Sequence, residues 1–266
     1  LSSNLEKVRQ SLKMDNAIGI IGHSMTTPLG YFASAITRLA GKTVFGVQHA
    51  PGHYGYIEDH APLGPESAFC DKLITWGWTR IDEHLPQCET IPLPSPKNSE
   101  QPFKANYLKG AKSKSKDMRD ILFLSNLFHR FPDNFSTCGQ SRPDFIDEIT
   151  NSQEGLMLSI QNSGLTITHK PFSMKYVDLY PEHFRRLAAA GGAGYRFLKS
   201  THKGLTVGLI KTCRILLWDQ IGCGTMEALT SGVPTIIYWK RIYSREVSWA
   251  RDLIVALEQN GIVHSD

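Results

Sequence analysis

A dense group of residues that could carry out proton transfer lies at positions 48–60, QHAPGHYGYIEDH. This segment holds three histidines, two tyrosines, a glutamate and an aspartate, and glycines interrupt it. It follows Thr43–Val47 (TVFGV), an apolar run with the length and β-branched content of a buried strand. Ligands of open α/β sheets bind outside the carboxyl ends of the strands, so we expect the segment to line a ligand site.

We predict that this loop and the residues after it supply the group that takes a proton from the substrate. The candidates are His49, His53, Glu58 and Glu66. The competing interpretations are a hydrogen-bonded core histidine for His49 and a solvated loop charge for Glu58. His49 and His53 are four residues apart, as in a helical metal-binding pair, but Pro51 and Gly52 disfavour a helix there. We therefore expect no metal site.

A second polar cluster lies at positions 218–234, WDQIGCGTMEALTSGVP. A strand ends at Asp219, and a helix begins at Gly224 and Thr225 with Glu227 in its first turn. Backbone N–H groups at a helix start, beside a hydroxyl, can bind a phosphate, and a carboxylate can accept ribose or sugar hydroxyls. A helix capped by its own Thr225 and Glu227 is the equally favoured alternative. Lys170, after the run LTIT, is a further candidate for the phosphate, with a surface lysine as its alternative.

Alternating strand and helix patterns must position these residues. The strands are predicted at Asn16–Ile21, Thr43–Val47, Lys72–Trp76, Ile121–Ser125, Leu165–Thr168, Arg214–Trp218 and Pro234–Trp239, and the helices at Leu29–Leu39, Pro143–Asn162, Pro181–Ala190, Gly224–Thr230 and Ser244–Gln259. Such alternation implies parallel sheets and an α/β fold. The stretch Ile91–Asn98 carries three prolines, and lysines follow, so we predict no strand or helix there.

The sequence thus predicts two Rossmann-like domains facing a cleft. We predict an N-terminal domain over residues 1–100 that is incomplete, a linker over residues 101–118, and a C-terminal domain over residues 119–266. The chain does not begin with methionine, so we expect it to be a segment of a longer protein.

Composition narrows the class of protein. The chain has 266 residues, a net charge of +4 and a pI near 8.7, which is too mild to indicate nucleic acid. The chain has five cysteines: Cys70, Cys88, Cys138, Cys213 and Cys223. Their odd number and the lack of a C-x-x-C pair favour a reducing cytoplasm. We find no apolar run of about 18 residues and no signal peptide at the start.

Several catalytic motifs are missing from the sequence. It has neither the G-x-x-x-x-G-K-[ST] loop nor a complete G-x-G-x-x-G after a strand, which disfavours P-loop kinases and ordinary dinucleotide dehydrogenases. It also lacks G-x-S-x-G, so an α/β-hydrolase is unsupported. Trp76 and Trp78 of the TWGW box are expected to be packing residues rather than platforms for a sugar.

The motifs QHAPGHYG, DKLITWGW and GTMEALTSGVPTIIYW together resemble a group of bacterial surface-polysaccharide sugar transferases of the two-domain GT-B architecture. The likeness runs from about Thr43 to the end, with a distant likeness to Kdo transferases. Glu66 stands five residues before Asp71, in the place of the family's glutamate. The sequence departs from the family at Ala50, where the family's loop has glycine, and at Cys223-Gly224, where serine or threonine usually precedes Thr225.

The resemblance implies a metal-independent glycosyltransferase that moves a sugar from a nucleotide donor to a bacterial surface glycan or glycolipid. It also implies that residues 1–100 form the acceptor-side domain and residues 119–266 the nucleotide-sugar-binding domain. The expected partners are a nucleotide sugar and a glycan or lipid-linked acceptor. We expect the nucleotide of the donor to be a cytidine nucleotide, as in CMP-Kdo. We expect no cofactor and no nucleic acid. We expect a cytoplasmic location and leave open a peripheral contact with the inner membrane. A sugar-nucleotide epimerase of the same fold and a non-catalytic nucleotide-binding module are the alternatives.

Overall fold

The computed structural model describes residues 2–11, 17–23, 27–48, 56, 68–79, 88–96, 99, 119–125, 145–199, 207–210, 212–221, 224–241 and 245–265. Within these ranges the chain divides into two compact units. The first comprises Leu1–Glu100 and Glu246–Trp249, and the second comprises Gln101–Arg245 and Ala250–Asp266. The predicted linker, 101–118, lies outside the described residues. The sequence analysis placed 246–249 with the C-terminal domain, whereas the division groups them with the first unit.

The first unit contains a parallel sheet of four strands in chain order. Its elements are α1 (Ser2–Ser11), β1 (Gly19–His23), α2 (Pro28–Leu39), β2 (Thr43–Val47), β3 (Lys72–Trp76) and β4 (Glu89–Leu93). Helix α2 begins with proline at a position that needs no N–H donor, and the Thr27 hydroxyl accepts the N–H of Gly30 at 3.1 Å. Residues 33, 34, 36 and 37 form its buried face.

Strand β4 corrects the sequence analysis, which predicted no strand in the proline-rich stretch. Pro92 pairs with Thr75 in register, but β4 is the last strand of this sheet. Proline has no backbone N–H to donate to a neighbouring strand. On the outer side of an edge strand no neighbour needs that donor, so proline is tolerated there.

The second unit contains a parallel sheet of six strands in the order β10-β9-β8-β5-β6-β7. Its elements are β5 (Arg119–Ser125), α3 (Phe145–Asn162), β6 (Ile167–Pro171), α4 (Met174–Leu179), α5 (Pro181–Gly191), β7 (Tyr195–Phe197), α6 (Val207–Ile210), β8 (Cys213–Trp218), α7 (Thr225–Thr230), β9 (Thr235–Tyr238), α8 (Arg251–Gln259) and β10 (Val263–His264). From the central strand β5, the next two strands are added on one side of the sheet and the last three on the other side. This is the strand order of the Rossmann fold. The predicted α/β class with two Rossmann-like domains is confirmed.

One face of this sheet carries the hydrophobic core. Its buried members come from β5, β6 and β8 and from α3 and α5: Ile121, Phe123, Met157, Ile160, Ile167, Leu187, Ala190 and Leu217. Both faces of β6 are buried, because all five of its residues are. Such strands do not alternate between polar and apolar residues. The predicted strand Leu165–Thr168 began two residues too early, and it ended three residues too early because the polar residues His169 and Lys170 were left out of the strand. The helix predicted over Ser244–Gln259 is likewise shorter, and begins as α8 at Arg251 after a 3₁₀ turn.

Candidate active site

The glutamine that opens the segment QHAPGHYG holds the TWGW box in place. Gln48 is buried, and its side-chain oxygen accepts the backbone N–H of Trp76 and the indole N–H of Trp78, each at 2.9 Å. The hydroxyl of Thr75 donates to the carbonyl of Trp78, and Gly77 between them has a φ of 92°, which favours glycine. The two motifs thus bind each other, and Trp78 is a packing residue, buried against Leu73.

We expect Gln48→Leu to lower the free energy of unfolding by about 2–3 kcal/mol, because two buried N–H groups lose their acceptor. Urea denaturation followed by tryptophan fluorescence measures the change. Gln259→Leu, the same substitution on the exposed end of α8, is the matched control and should shift stability by no more than about 0.5 kcal/mol. Equal effects of the two substitutions would show that the hydrogen bonds of Gln48 contribute nothing to stability.

Asp71, which begins the DKLITWGW motif, also has a structural role. Its Oδ1 accepts Nε of Arg38 at 2.9 Å, and its Oδ2 accepts the backbone N–H of Val44 at 2.8 Å. Arg38 donates further to the carbonyl of Cys70. The carboxylate therefore ties the end of α2 to the start of β2, a role that no local pattern in the sequence indicated.

The four candidates for proton transfer, His49, His53, Glu58 and Glu66, lie outside the described residues. Their roles stay predictions. The described residues nearest to them in the sequence are Gln48, Tyr56 and Ala68. The hydrogen bonds of Gln48 fix the point at which the chain leaves β2.

In the second unit, the sheet reverses its winding between β5 and β8. The ends of these strands, Ser125 and Trp218, therefore lie at the switch point, where Rossmann folds bind their ligands. Leu124 pairs with Trp218 in register, so Ser125 and Asp219 come next at the same edge. Residues two apart share a face of a strand, which places both on the side of Phe123 and Leu217, under α3 and α5.

Asp219 is held at this edge by Gln153 of α3, which sequence analysis missed. The side-chain N–H of Gln153 donates to Oδ2 of Asp219 at 2.8 Å. Gln153 is only 1% exposed, and its Oε1 has no hydrogen-bond partner in the described part of the chain. The signal that could have identified it is a polar residue on the buried stripe of α3, four residues after Ile149 and four before Met157.

Lys170 does not lie where the sequence analysis placed it. It belongs to β6 rather than following a strand, is 1% exposed, and its Nζ donates to the carbonyl of Pro171 at 3.4 Å. Burial lowers the pKa of its ammonium group. Because it pairs with Leu124, it faces the side of the sheet opposite Ser125. A surface lysine, the alternative interpretation, is excluded.

Gly224, Thr225 and Glu227 lie at the start of α7, which spans six residues. Gly224 is the N-cap residue and, having no side chain, forms no side-chain cap. Thr225 and Glu227 are buried, at 1% and 5% exposure. A carboxylate with so little exposure must be satisfied by donors, so Glu227 is a polar group built into the unit and not a solvated charge. Its predicted part in nucleotide binding stays a prediction.

Two buried histidines lie behind the switch point. His169 of β6 is 0% exposed, and its ring contacts Ser125 Oγ at 2.8 Å through Nε2 and Tyr195 Oη at 2.7 Å through Nδ1. His183 of α5 contacts Thr150 Oγ1 at 2.8 Å through Nδ1. Burial lowers the pKa of His169 to about 3 and that of His183 to about 4, so both rings are neutral at pH 7.

The described ranges show neither a metal site nor a membrane span. They contain no group of three or more His, Cys, Asp or Glu residues that could hold a metal ion. None of the helices described is long and apolar enough to cross a membrane.

Comparison with known families gives a match over most of the chain. A model of the LIC12162 family transferases matches residues 31–266. Among curated proteins, none matches the sequence significantly.

Solved structures share the fold at low sequence identity. The UDP-GlcNAc 2-epimerase of Methanocaldococcus jannaschii superposes with a TM-score of 0.51 and 12% identity, over 100% of this chain and 70% of that one. Acinetobacter baumannii MurG gives 0.47 and 10%, over 88% and 56%. A UDP-glucosyltransferase of Polygonum tinctorium gives 0.45 and 11%, over 99% and 66%. The chain thus spans less than two thirds of the last two proteins. The epimerase superposition supports the fold alone.

Proposed function

The chain belongs to the LIC12162 family of transferases, and we propose that it transfers a sugar from a nucleotide donor to a hydroxyl of a glycan or glycolipid. The family match over residues 31–266 is the observation that carries the proposal. Further support comes from the polar edge at the switch point of the second unit, where Asp219, Gln153 and Ser125 could meet a nucleotide.

In the proposed reaction the acceptor oxygen forms a bond to the anomeric carbon of the donor sugar. The bond from that carbon to the phosphate oxygen breaks, and the nucleotide leaves with the electron pair. The proton of the acceptor hydroxyl passes to Glu66 or His53, and N–H and hydroxyl donors of the second unit stabilise the departing phosphate. No step requires a metal, so activity in the presence of EDTA is part of the proposal.

The donor to test first is CMP-Kdo, on the likeness to Kdo transferases, with a bacterial surface glycolipid as acceptor. Thermal-shift measurements with CMP, CDP, UDP, GDP and ADP identify the nucleotide, because a ligand of the native state raises stability by mass action. Incubation with the matching nucleotide sugars then separates the alternatives. A transferase consumes donor rapidly only with acceptor, an epimerase converts donor alone, and a binding module does neither.

Thr225→Val should weaken nucleotide binding by about 1 kcal/mol, the usual net value of one hydrogen bond. Calorimetric titration of the nucleotide found by thermal shift measures the affinity. Thr230→Val, at the other end of α7, is the matched control, since the Thr230 hydroxyl donates to the carbonyl of Met226 within the helix. Affinities that are equal for Thr225→Val and the parent protein would remove this residue from the site.

A further inference from the structure

A chain of hydrogen bonds runs from the switch point into the core of the second unit. It joins Ser125 at the end of β5, His169 of β6 and Tyr195 of β7, with O···N distances of 2.8 and 2.7 Å. Ser125 is 4% exposed and His169 is fully buried. These contacts join residues 44 and 26 positions apart in the sequence, so the fold assembles them.

Burial keeps the ring of His169 neutral at pH 7, and aromatic side chains surround it. The rings of Phe123, Phe184, Tyr195 and Phe197 lie 4.7 to 6.1 Å from it, between centroids. A neutral imidazole has one N–H donor and one acceptor nitrogen. Each of its two contacts therefore has a fixed direction once the other is known.

The three hydrogen-bonded residues have one more polar hydrogen than their two hydrogen bonds use. Ser125, His169 and Tyr195 together carry three polar hydrogens, and the two hydrogen bonds use two of them. If Nδ1 carries the ring proton, Ser125 donates inward and the Tyr195 O–H is left over. If Nε2 carries it, Tyr195 donates to Nδ1, the ring donates to Ser125, and the Ser125 O–H is free to donate outward.

The position of Ser125 decides what the outward proton can meet. Ser125 is the last residue of the central strand, at the edge where Rossmann folds bind phosphate groups. A phosphoryl oxygen accepts hydrogen bonds and has none to give, so it completes the second arrangement and leaves no donor unpaired. Asp219, next along the edge, already has Oδ2 engaged by Gln153.

We propose that Ser125 donates its hydroxyl proton to a phosphoryl oxygen of the nucleotide ligand, and that His169 and Tyr195 are positioning residues that turn this hydroxyl outward. The inference rests on the proposed function for the identity of the ligand. It adds a phosphate contact at the end of β5, separate from the start of α7, and assigns a role to a tyrosine that does not touch the ligand.

Binding of CDP, inorganic pyrophosphate and cytidine, measured by calorimetry, tests the contact. Ser125→Ala should weaken CDP and pyrophosphate about tenfold or more, as expected for a hydrogen bond to a charged oxygen, and leave cytidine unchanged. If Ser125→Ala weakens the binding of CDP and leaves the binding of pyrophosphate unchanged, the serine contacts the nucleoside and the proposal is overturned. A parent protein that binds neither pyrophosphate nor the nucleotide found by thermal shift also overturns it.

The role of Tyr195 is tested by a double-mutant cycle. Tyr195→Phe leaves Nδ1 without its O–H donor, so the contact that favours the proton on Nε2 is lost and the Ser125 hydroxyl is less firmly directed outward. Pyrophosphate binding should then fall, though less than in Ser125→Ala, and Tyr195→Phe should add nothing in the Ser125→Ala background. Tyr238→Phe, a half-buried tyrosine against the same core, is the matched control. Additive losses, or a loss of stability without a loss of affinity, would make Tyr195 a packing residue only.

The tautomer of His169 gives a readout independent of activity. Long-range ¹H–¹⁵N spectra of protein labelled in histidine nitrogen show which ring nitrogen carries the proton. We expect Nε2–H in the parent complex with pyrophosphate. Nδ1–H in the parent complex overturns the proposal. If these results hold and no sugar is transferred, the proposed function fails and the phosphate site stands.

Discussion

Glu66→Gln and His53→Ala should each lower the rate of sugar transfer by about 10² to 10⁴-fold, while nucleotide affinity should stay within about twofold of the parent value. The reason is that a group that takes a proton acts in the transition state and contributes little to binding the donor. Among the carboxylates of the segment, Glu66 is favoured over Glu58 because it stands where the family's glutamate stands, five residues before Asp71.

The measurement pairs the transfer rate under saturating donor with calorimetric nucleotide affinity. Glu89→Gln makes the same change of carboxylate to amide on the edge strand β4, where Glu89 pairs with Lys72 at 2.9 Å, and it should keep the parent rate. Circular dichroism shows whether each variant is folded. The proton-accepting role is refuted for both residues if the folded variants turn over at the parent rate.

The elements that sequence analysis located well are those whose signal is local. Strands β2 and β3 were predicted with the bounds that the structure has, because each is a short apolar run between glycine or polar residues. Strand β4 was missed because Pro92 counts against a strand by itself, and only its place at the sheet edge makes it acceptable.

The polar residues of the candidate site could be predicted only in part. Asp219 and Thr225 follow an apolar run and were visible. Gln153 was not, because it acquires its meaning from a contact with a residue 66 positions away. Ser125 and His169 were hidden for the same reason. Helix and strand patterns identify which face of an element is buried, and they carry no information on which buried polar atoms meet.

The buried histidines predict a loss of stability in mild acid. In the folded protein the pKa of His169 is about 3 and that of His183 about 4, whereas an unfolded histidine has a pKa of about 6.5. Burial is the main cause for both. The neighbouring His183 lowers the pKa of His169 further, and Arg186 lowers that of His183 while Glu154 raises it.

The sign follows from the number of bound protons. Below pH 6.5 the two histidines bind protons in the unfolded chain but not in the native protein. Their contribution to stability is therefore full above this pH and falls as the pH decreases toward the folded pKa values. The slope approaches about 2.7 kcal/mol per pH unit, twice the value for one group, and the loss between pH 8 and pH 5 is about 4 kcal/mol. The carboxylates whose pKa is lowered, Asp120, Glu154 and Glu258, act in the same direction but only below their ordinary pKa values, about 3.8 for the aspartate and about 4.5 for the glutamates.

Urea denaturation at half-unit steps from pH 8 to pH 5 measures this slope. His183→Gln keeps a hydrogen-bonding side chain beside Thr150 and should halve the slope whatever it does to the stability at pH 8. His264→Gln, at an exposed position in β10, removes a histidine while leaving both buried rings in place, so the full slope should remain. A parent protein whose stability is flat between pH 6.5 and pH 5, or a slope that His183→Gln leaves unchanged, would mean that these rings accept protons in the folded state. His169 could then not serve as the fixed, neutral link between Ser125 and Tyr195.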